Sequence, residues 1–305
     1  MPECRLLSVS AHPLDAADGP GLHIRAVARE LAKLGVEVTL LGPTHGPFAL
    51  EGVQIEAMKP AGGRKQRAAL AKRTGELLAD SKRDVVYTRG SLRAVAEAAE
   101  AAKTPLVVEY NGVLLDEAQD AGFLRRRFYR GEEEAVAQSA KLAIAVDTSV
   151  AKRMAELYPQ TGLGDKIEVV ENGCEAEAFA QALSQRQADN DPPAKLVFVG
   201  ALQPWTKLSL AFAALKNLPQ RYSLTVIGDG PARASLEALA REAQIPVTFL
   251  GKLAHQDLTR KLVEFDIGIN PDAGRDSSPL KVPEYLAAGL VVVSTGPKSL
   301  NFLRD

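Results

Sequence analysis

The segment richest in potential chemistry runs from residue 275 to 289, RDSSPLKVPEYLAAG. It follows a strand-like run ending in Ile267-Gly268-Ile269-Asn270 and precedes another, Leu290-Val291-Val292-Val293. The pattern predicts a loop at a strand's carboxyl end that opens a helix, the end at which open α/β sheets bind ligands. Ser277, Ser278, Pro279, Leu280 and Lys281 would lead into that helix, whose free backbone N–H groups and positive dipole suit a phosphate. Glu284 follows one turn later, a carboxylate able to accept hydrogen bonds from sugar hydroxyls. Phosphate held by backbone, with an acid close by, describes a nucleotide-sugar site.

A second glycine-rich segment, His12 to Gly21, links the first strand to a helix from Leu22. Gly19 and Gly21 would let backbone approach a phosphate. Ile24 stands where a GxGxxG fingerprint requires glycine, so the dinucleotide reading fails. Asp15, His23 and Arg25 are the polar candidates nearby.

The elements that must position these groups alternate. Strand patterns at 5–10, 36–41, 53–57, 85–88, 106–110, 142–146 and 167–170 are separated by amphipathic stretches such as 22–34, 65–78, 92–102 and 149–157. Alternation of this kind predicts parallel sheets with helices on both faces. After a polar, proline-ended break the pattern restarts at 195–199, 223–227, 247–250, 267–270 and 290–293. The expected division is a domain at 1–183, a linker at 184–194 and a second, shorter domain at 195–305.

Composition narrows the classes. Lys+Arg number 37 and Asp+Glu 38, so net charge gives no argument for nucleic acid. The cysteines, Cys4 and Cys174, make neither a disulfide framework nor a metal spacing. We expect no signal peptide and no membrane span, and a reducing cytoplasm as the compartment. Residues 123–130, FLRRRFYR, interleave aromatics with four arginines. They could meet an anionic membrane or a lipid-linked acceptor. The plainer reading, which the spacing favours, is a solvated face answered by Glu132, Glu133 and Glu134.

Ser278, Pro279, Leu280, Lys281, Glu284, Tyr285, Ala287 and Gly289 together resemble the E-x7-E region of retaining glycosyltransferases of the GT-B fold, family 4. The first acid of that motif falls on Asp276, whose shorter side chain reduces its reach. Glu109-Tyr110-Asn111-Gly112 resembles the family segment in which a residue after the fifth strand faces the donor sugar, and the resemblance assigns that contact to Asn111, with Glu109 as a buried partner orienting the loop. Asn172-Gly173 resembles the landmark closing the first domain. Gly200 and Lys207 fall where relatives grip the diphosphate, although Ala201 replaces the usual Arg. Gly228 and Gly230 resemble the loop beside the base, and Leu253 follows the strand whose backbone contacts it.

The resemblance spans roughly residues 5–300 and implies the α/β GT-B fold, two Rossmann-like domains with parallel sheets facing across a cleft, the second truncated. It implies sugar transfer with retention, from a nucleotide-diphosphate sugar to a saccharide, lipid-linked or small-molecule acceptor. Asn111, Asp276 and Lys207 would carry the chemistry. No cofactor and no metal are implied, and Asp189-Asn190-Asp191 is a DxD by letters alone, set in the linker. Rival readings are a non-catalytic nucleotide- or sugar-binding protein of the same fold, and an epimerase or phosphorylase. Further expectations are contact with the inner face of the membrane and self-association through the shortened second domain.

Overall fold

The structure, a computed structural model, describes residues 4–118, 121–186, 194–203, 206–218, 222–271 and 279–295. The chain divides into two compact units, Met1–Glu171 and Asn172–Asp305.

In the first unit the order is β1 (Arg5–Val9), α1 (Gly19–Lys33), β2 (Glu37–Pro43), β3 (Val53–Met58), α2 (Gly63–Asp80), β4 (Val85–Arg89), α3 (Arg93–Ala101) and β5 (Leu106–Tyr110). It continues with α4 (Leu114–Glu117), α5 (Phe123–Ser139), β6 (Leu142–Ala145), α6 (Thr148–Leu157) and β7 (Ile167–Val169). The strands form one parallel sheet in the order β3-β2-β1-β4-β5-β6-β7. Its central strands are apolar on both faces: Leu7, Val9, Leu40, Leu41, Val86 and Val108 are all buried, as expected for parallel strands covered by helices. Caps fix where helices begin. The Asp18 side chain accepts from the Gly21 N–H at 3.0 Å and starts α1, with Pro20 in its first turn. Asp147 accepts from Ser149 N–H at 2.6 Å and starts α6.

The second unit comprises α7 (Ala176–Leu183), β8 (Ala194–Val199), α8 (Leu208–Leu215), β9 (Tyr222–Ile227), α9 (Arg233–Glu242) and β10 (Val247–Gly251). Then follow α10 (His255–Leu262), β11 (Ile267–Asn270), α11 (Lys281–Ala287) and β12 (Val291–Ser294). The sheet order is β10-β9-β8-β11-β12, again parallel throughout. Helix α7 packs here, not in the first unit where the sequence pattern put it. Phe179 is fully buried in a core with Leu258, Leu262 and Tyr285, and Leu183 lies against that core. Its amphipathic face was satisfied by α10 and α11, across the polar segment that reads as a linker.

Both sheets reverse direction beside their first strand. β1 lies between β2 and β4, and β8 between β9 and β11. The loops leaving the two members of each pair part there, which opens a crevice at the strands' carboxyl ends. In the second unit the parting starts inside the sheet. β8 and β11 pair only at Leu196–Ile267 and Val197–Gly268. Beyond that, the Tyr285 hydroxyl of α11 accepts the Val199 N–H at 2.8 Å. Tyr285 is fully buried, and a Cβ at Gly268 would come within 2.3 Å of its ring.

Gly268→Ala is therefore expected to lower the second unit's stability by about 1–3 kcal/mol, the usual cost of overpacking an interior. Urea unfolding measures it, and an unchanged midpoint would mean that the ring does not fill this gap.

Candidate active site

At the reversal point of the first unit, four side chains surround one carboxylate. Glu109, the penultimate residue of β5, is 4% exposed. Tyr87 and Asn111 donate hydrogen bonds to its two oxygens, Tyr87 Oη to Oε2 and Asn111 Nδ2 to Oε1. His23 Nε2, from the first turns of α1, lies 2.8 Å from Oε1, and Arg89 Nε lies 3.8 Å away. Burial pushes the Glu109 carboxyl up, but His23 and the two donors outweigh that and hold it below the usual carboxylate range. The same burial and the adjacent carboxylate drive the Tyr87 phenol far above its ordinary value, so it stays a donor.

The structure thus joins two predicted residues, His23 and Asn111, through Glu109. It adds Tyr87 and Arg89, which sequence reasoning missed. Their signal was present: Arg89 is in register with Glu109, and Tyr87 precedes it by two on the same face of β4. Other predicted groups do local work. Asp15 accepts the His45 N–H at 2.7 Å and faces its ring at 3.1 Å. Arg25 donates to the carbonyls of Leu14 and Ala16 at 2.7 and 2.9 Å, which folds the loop after β1. Gly21 is required by sterics, since a Cβ there would meet the Ala16 carbonyl at 2.3 Å. Its N–H is taken by Asp18, so a carboxylate of the chain occupies the anion position that the sequence suggested for phosphate at Gly19 and Gly21.

In the second unit the corresponding point is built from backbone. Gly228 has φ 138°, and a Cβ there would meet the Gly200 carbonyl at 2.0 Å. A Cβ at Gly230 would meet the Leu202 carbonyl at 2.4 Å. Glycine alone lets the loops after β8 and β9 touch this closely. The Gly228 N–H donates to the Gly251 carbonyl at 2.7 Å, which adds the end of β10 to the stack. Leu253, two residues further, lies against the core that holds Tyr285. Lys207 stands immediately before α8 with φ 47°, a left-handed backbone that is uncommon for a side-chain-bearing residue.

Pro279 and Leu280 lead into α11, and Lys281 opens it. Lys281 Nζ sits 4.7 Å from the centre of the Phe198 ring and 3.5 Å from where a Gly200 Cβ would lie. Glu284 is one turn on. Burial, joined by the neighbouring charge of Glu175 and opposed by Lys281, pushes its carboxyl up to about 7. His255, the first residue of α10, stands between the two carboxylates, with Nδ1 4.0 Å from Glu284 and Nε2 3.7 Å from Glu175. No pattern in the sequence singles out His255, because its partners lie 80 and 29 positions away and meet only through tertiary packing. Asp276, Ser277 and Ser278 fall outside the described residues, as does Asp189-Asn190-Asp191.

A cavity of about 340 Å³ lies beside α4 and the start of α5, lined by Leu114, Glu117, Ala118, Ala121, Arg125 and Tyr129. Its first lining residue, Leu114, follows Asn111 and Gly112 closely in the chain. Among the described residues no helix is long and apolar enough to cross a membrane.

Comparison with known proteins gives concordant results. The family described as Glycosyltransferase Family 4 matches residues 17–178, and that described as Glycosyl transferases group 1 matches residues 193–302. A search of curated proteins found no match. Among solved structures, sucrose-phosphate synthase from Thermosynechococcus elongatus superposes with TM-score 0.77 at 17% identity, covering 98% of this chain and 83% of that one. Anabaena HepE in complex with UDP gives 0.71 at 17% identity, covering 95% and 80%. The catalytic domain of starch synthase IV from Arabidopsis thaliana, bound to ADP and acarbose, gives 0.72 at 12% identity, covering 98% and 84%. The fold is therefore that of these GT-B proteins.

The raised Glu284 carboxyl makes a prediction about pH. Its folded value of about 7 exceeds the ordinary 4.5, so between these values the native state holds a proton that the unfolded chain has lost. Stability is then greatest below the ordinary value and falls as pH rises through the folded one, by up to roughly 3 kcal/mol at about 1.4 kcal/mol per pKa unit. Glu284→Gln should level that part of the profile of the second unit, as followed by urea unfolding from pH 4 to 8. A wild-type profile that is already level across this window would contradict the placement of Glu284.

Proposed function

The chain belongs to glycosyltransferase family 4, and from that premise we propose that it moves a sugar, with retention of configuration, from a nucleotide-diphosphate sugar to a hydroxyl acceptor. The observation that carries the reading is the convergence, at the β8–β11 reversal, of the touching Gly200 and Gly228 loops, the Lys281 ammonium and the Glu284 carboxylate. A cation beside backbone free of side chains suits a diphosphate. A carboxylate one turn away suits the hydroxyls of ribose or sugar.

In the proposed reaction the bond from the anomeric carbon to the diphosphate oxygen breaks, and a bond to the acceptor oxygen forms on the same face of the ring. The departing diphosphate oxygen takes the acceptor's proton, so no enzyme nucleophile is needed. Lys281, with Lys207, would neutralise the charge that grows on the leaving group, an electrostatic contribution that acts most strongly in the transition state. Glu284 in its ionised form would hold donor hydroxyls. In the first unit, to which we assign the acceptor, the Glu109 cluster would orient Asn111 for contact with sugar hydroxyls. The mechanism as written uses no metal and no cofactor. The UDP of the HepE structure and the ADP of the starch synthase structure make uridine and adenosine diphosphate sugars the first donors to try.

Calorimetry with a panel of UDP-, ADP- and GDP-sugars, followed by turnover assays, tests this reading. Glu284→Gln should weaken donor binding by about 1–3 kcal/mol, the range for hydrogen bonds to a charged group. In the wild type, donor affinity should rise as pH increases through about 7, where the Glu284 carboxyl ionises. Lys207→Ala and Lys281→Ala should weaken nucleoside diphosphates strongly and nucleosides hardly at all. Equal losses for both ligands would move the lysines off the phosphates. Nucleotide binding without consumption of the sugar would return the chain to the class of binding proteins.

A further inference from the structure

The basic and aromatic start of α5 answers to no part of the proposed reaction. Its sequence suggested a solvated face neutralised by three glutamates, and the structure overturns that. Glu133 is fully buried and accepts the N–H groups of Leu114 and Leu115, at 2.7 and 3.3 Å, and the Tyr158 hydroxyl at 2.7 Å. Glu132 is also buried and faces Arg67 of α2 at 3.6 Å. Only Glu134 remains near the surface, where Gln160 donates to it at 2.7 Å. Glu132 and Glu133 look inward, whereas Arg127 and Arg130 are exposed. Among the described residues neither Arg127 nor Arg130 is ion-paired.

The outward face is also apolar. Phe123 is 77% exposed, Leu124 79% and Phe128 48%. At 100° per residue these three span a sector of about 140°, with Arg127 inside it and Arg130 at its edge. The inward sector carries Tyr129, Glu133, Val136 and Ala137, which hold the helix to the body. A second helix end extends the patch: Arg67 stacks over the Phe128 ring at 4.9 Å. Arg64, three residues before Arg67 and so on its side of α2, is exposed together with Lys65.

We infer that this face of the first unit docks on an anionic lipid bilayer. Two observations select a bilayer over an acidic protein or nucleic acid. Large apolar side chains and cations share one helical face, the arrangement of helices that lie in a membrane interface. Arg127, set among the apolar groups, can extend its guanidinium to lipid phosphates while Phe123 and Leu124 enter the acyl boundary. Charge complementarity fixes the lipid class, since clustered basic residues favour anionic headgroups. The cavity walled by Arg125 and Tyr129 lies at the inner edge of the same patch. The inference stands on this surface alone and does not rest on the transferase reading.

The test is co-sedimentation of the full chain with vesicles of phosphatidylcholine, with and without phosphatidylglycerol. Binding is expected only with the anionic lipid, and should weaken as salt is raised. Arg127→Glu with Arg130→Glu should lower affinity about 10-fold or more. Phe123→Ser with Leu124→Ser should abolish co-sedimentation at physiological salt, both pairs keeping the wild-type melting profile. Absence of wild-type binding to anionic vesicles would overturn the proposal. Retention of full binding by the Phe123 and Leu124 variant would overturn it too, because the contact would then be one that any polyanion could make. Should either variant misfold, Leu124→Trp read against lipids with brominated acyl chains decides: quenching beyond that of the wild type, whose single tryptophan is Trp205, supports insertion, and no added quenching refutes it.

Discussion

One hydroxyl group governs the geometry of the second unit. Where β8 and β11 separate, the Val199 N–H loses its ladder partner, and a buried donor left without one is costly. Tyr285 supplies the acceptor and stays neutral, because burial drives its phenol far above the ordinary range. The proton it keeps points toward the Ile269 carbonyl, 3.5 Å away on the other strand. A single side chain therefore bridges the split in the sheet, and Gly268 leaves the space for its ring. Because Tyr285 belongs to α11, this bond also sets the height and rotation of that helix, and with them the positions of Lys281 and Glu284. The helix that carries these two groups is thus placed by a residue buried in the core.

Each unit holds a buried carboxylate near its reversal point, and the two are shifted in opposite directions. Glu109 is surrounded by donors and a histidine, so it keeps its charge despite burial. Glu284 is buried near another carboxylate, with Lys281 as the opposing charge, and its carboxyl is pushed up to about 7. The first arrangement gives a rigid, fully engaged cluster that can orient Asn111 and little else. The second leaves a group whose charge responds to its surroundings, and an arriving polyhydroxyl ligand is one such change. Fold alone distinguishes neither case, since strand order and crevice are the same in both.

The strand pattern was legible because buried parallel strands leave apolar runs, and each of the twelve runs forms a strand within a few residues of its expected ends. Gly228 and Gly230 were legible for a similar reason: only backbone sterics are at stake. What could not be read were facts about direction. Glu132, Glu133 and Glu134 are equivalent as letters, yet two turn inward to partners on α2, α4 and the loop bearing Tyr158. Helix α7 has an apolar stripe that either unit could have buried, and Phe179 chose the second. His255 gains its significance from two carboxylates distant in sequence. Asp18, read as part of a loop around a phosphate, caps α1 with its own carboxylate.

The mutual contact of Gly200 and Gly228 has a consequence for how such a site can change. The loops after β8 and β9 are pressed backbone to backbone, and the end of β10 is bonded to the same glycine. Gly228 cannot gain a side chain without displacing the loop after β8, because its Cβ would meet the Gly200 carbonyl at 2.0 Å. In the proposed site, altered ligand preference would then arise at residues bordering this contact, or by exchange of both loops together. A chimera that grafts one of them alone would inherit a steric conflict in place of a new specificity.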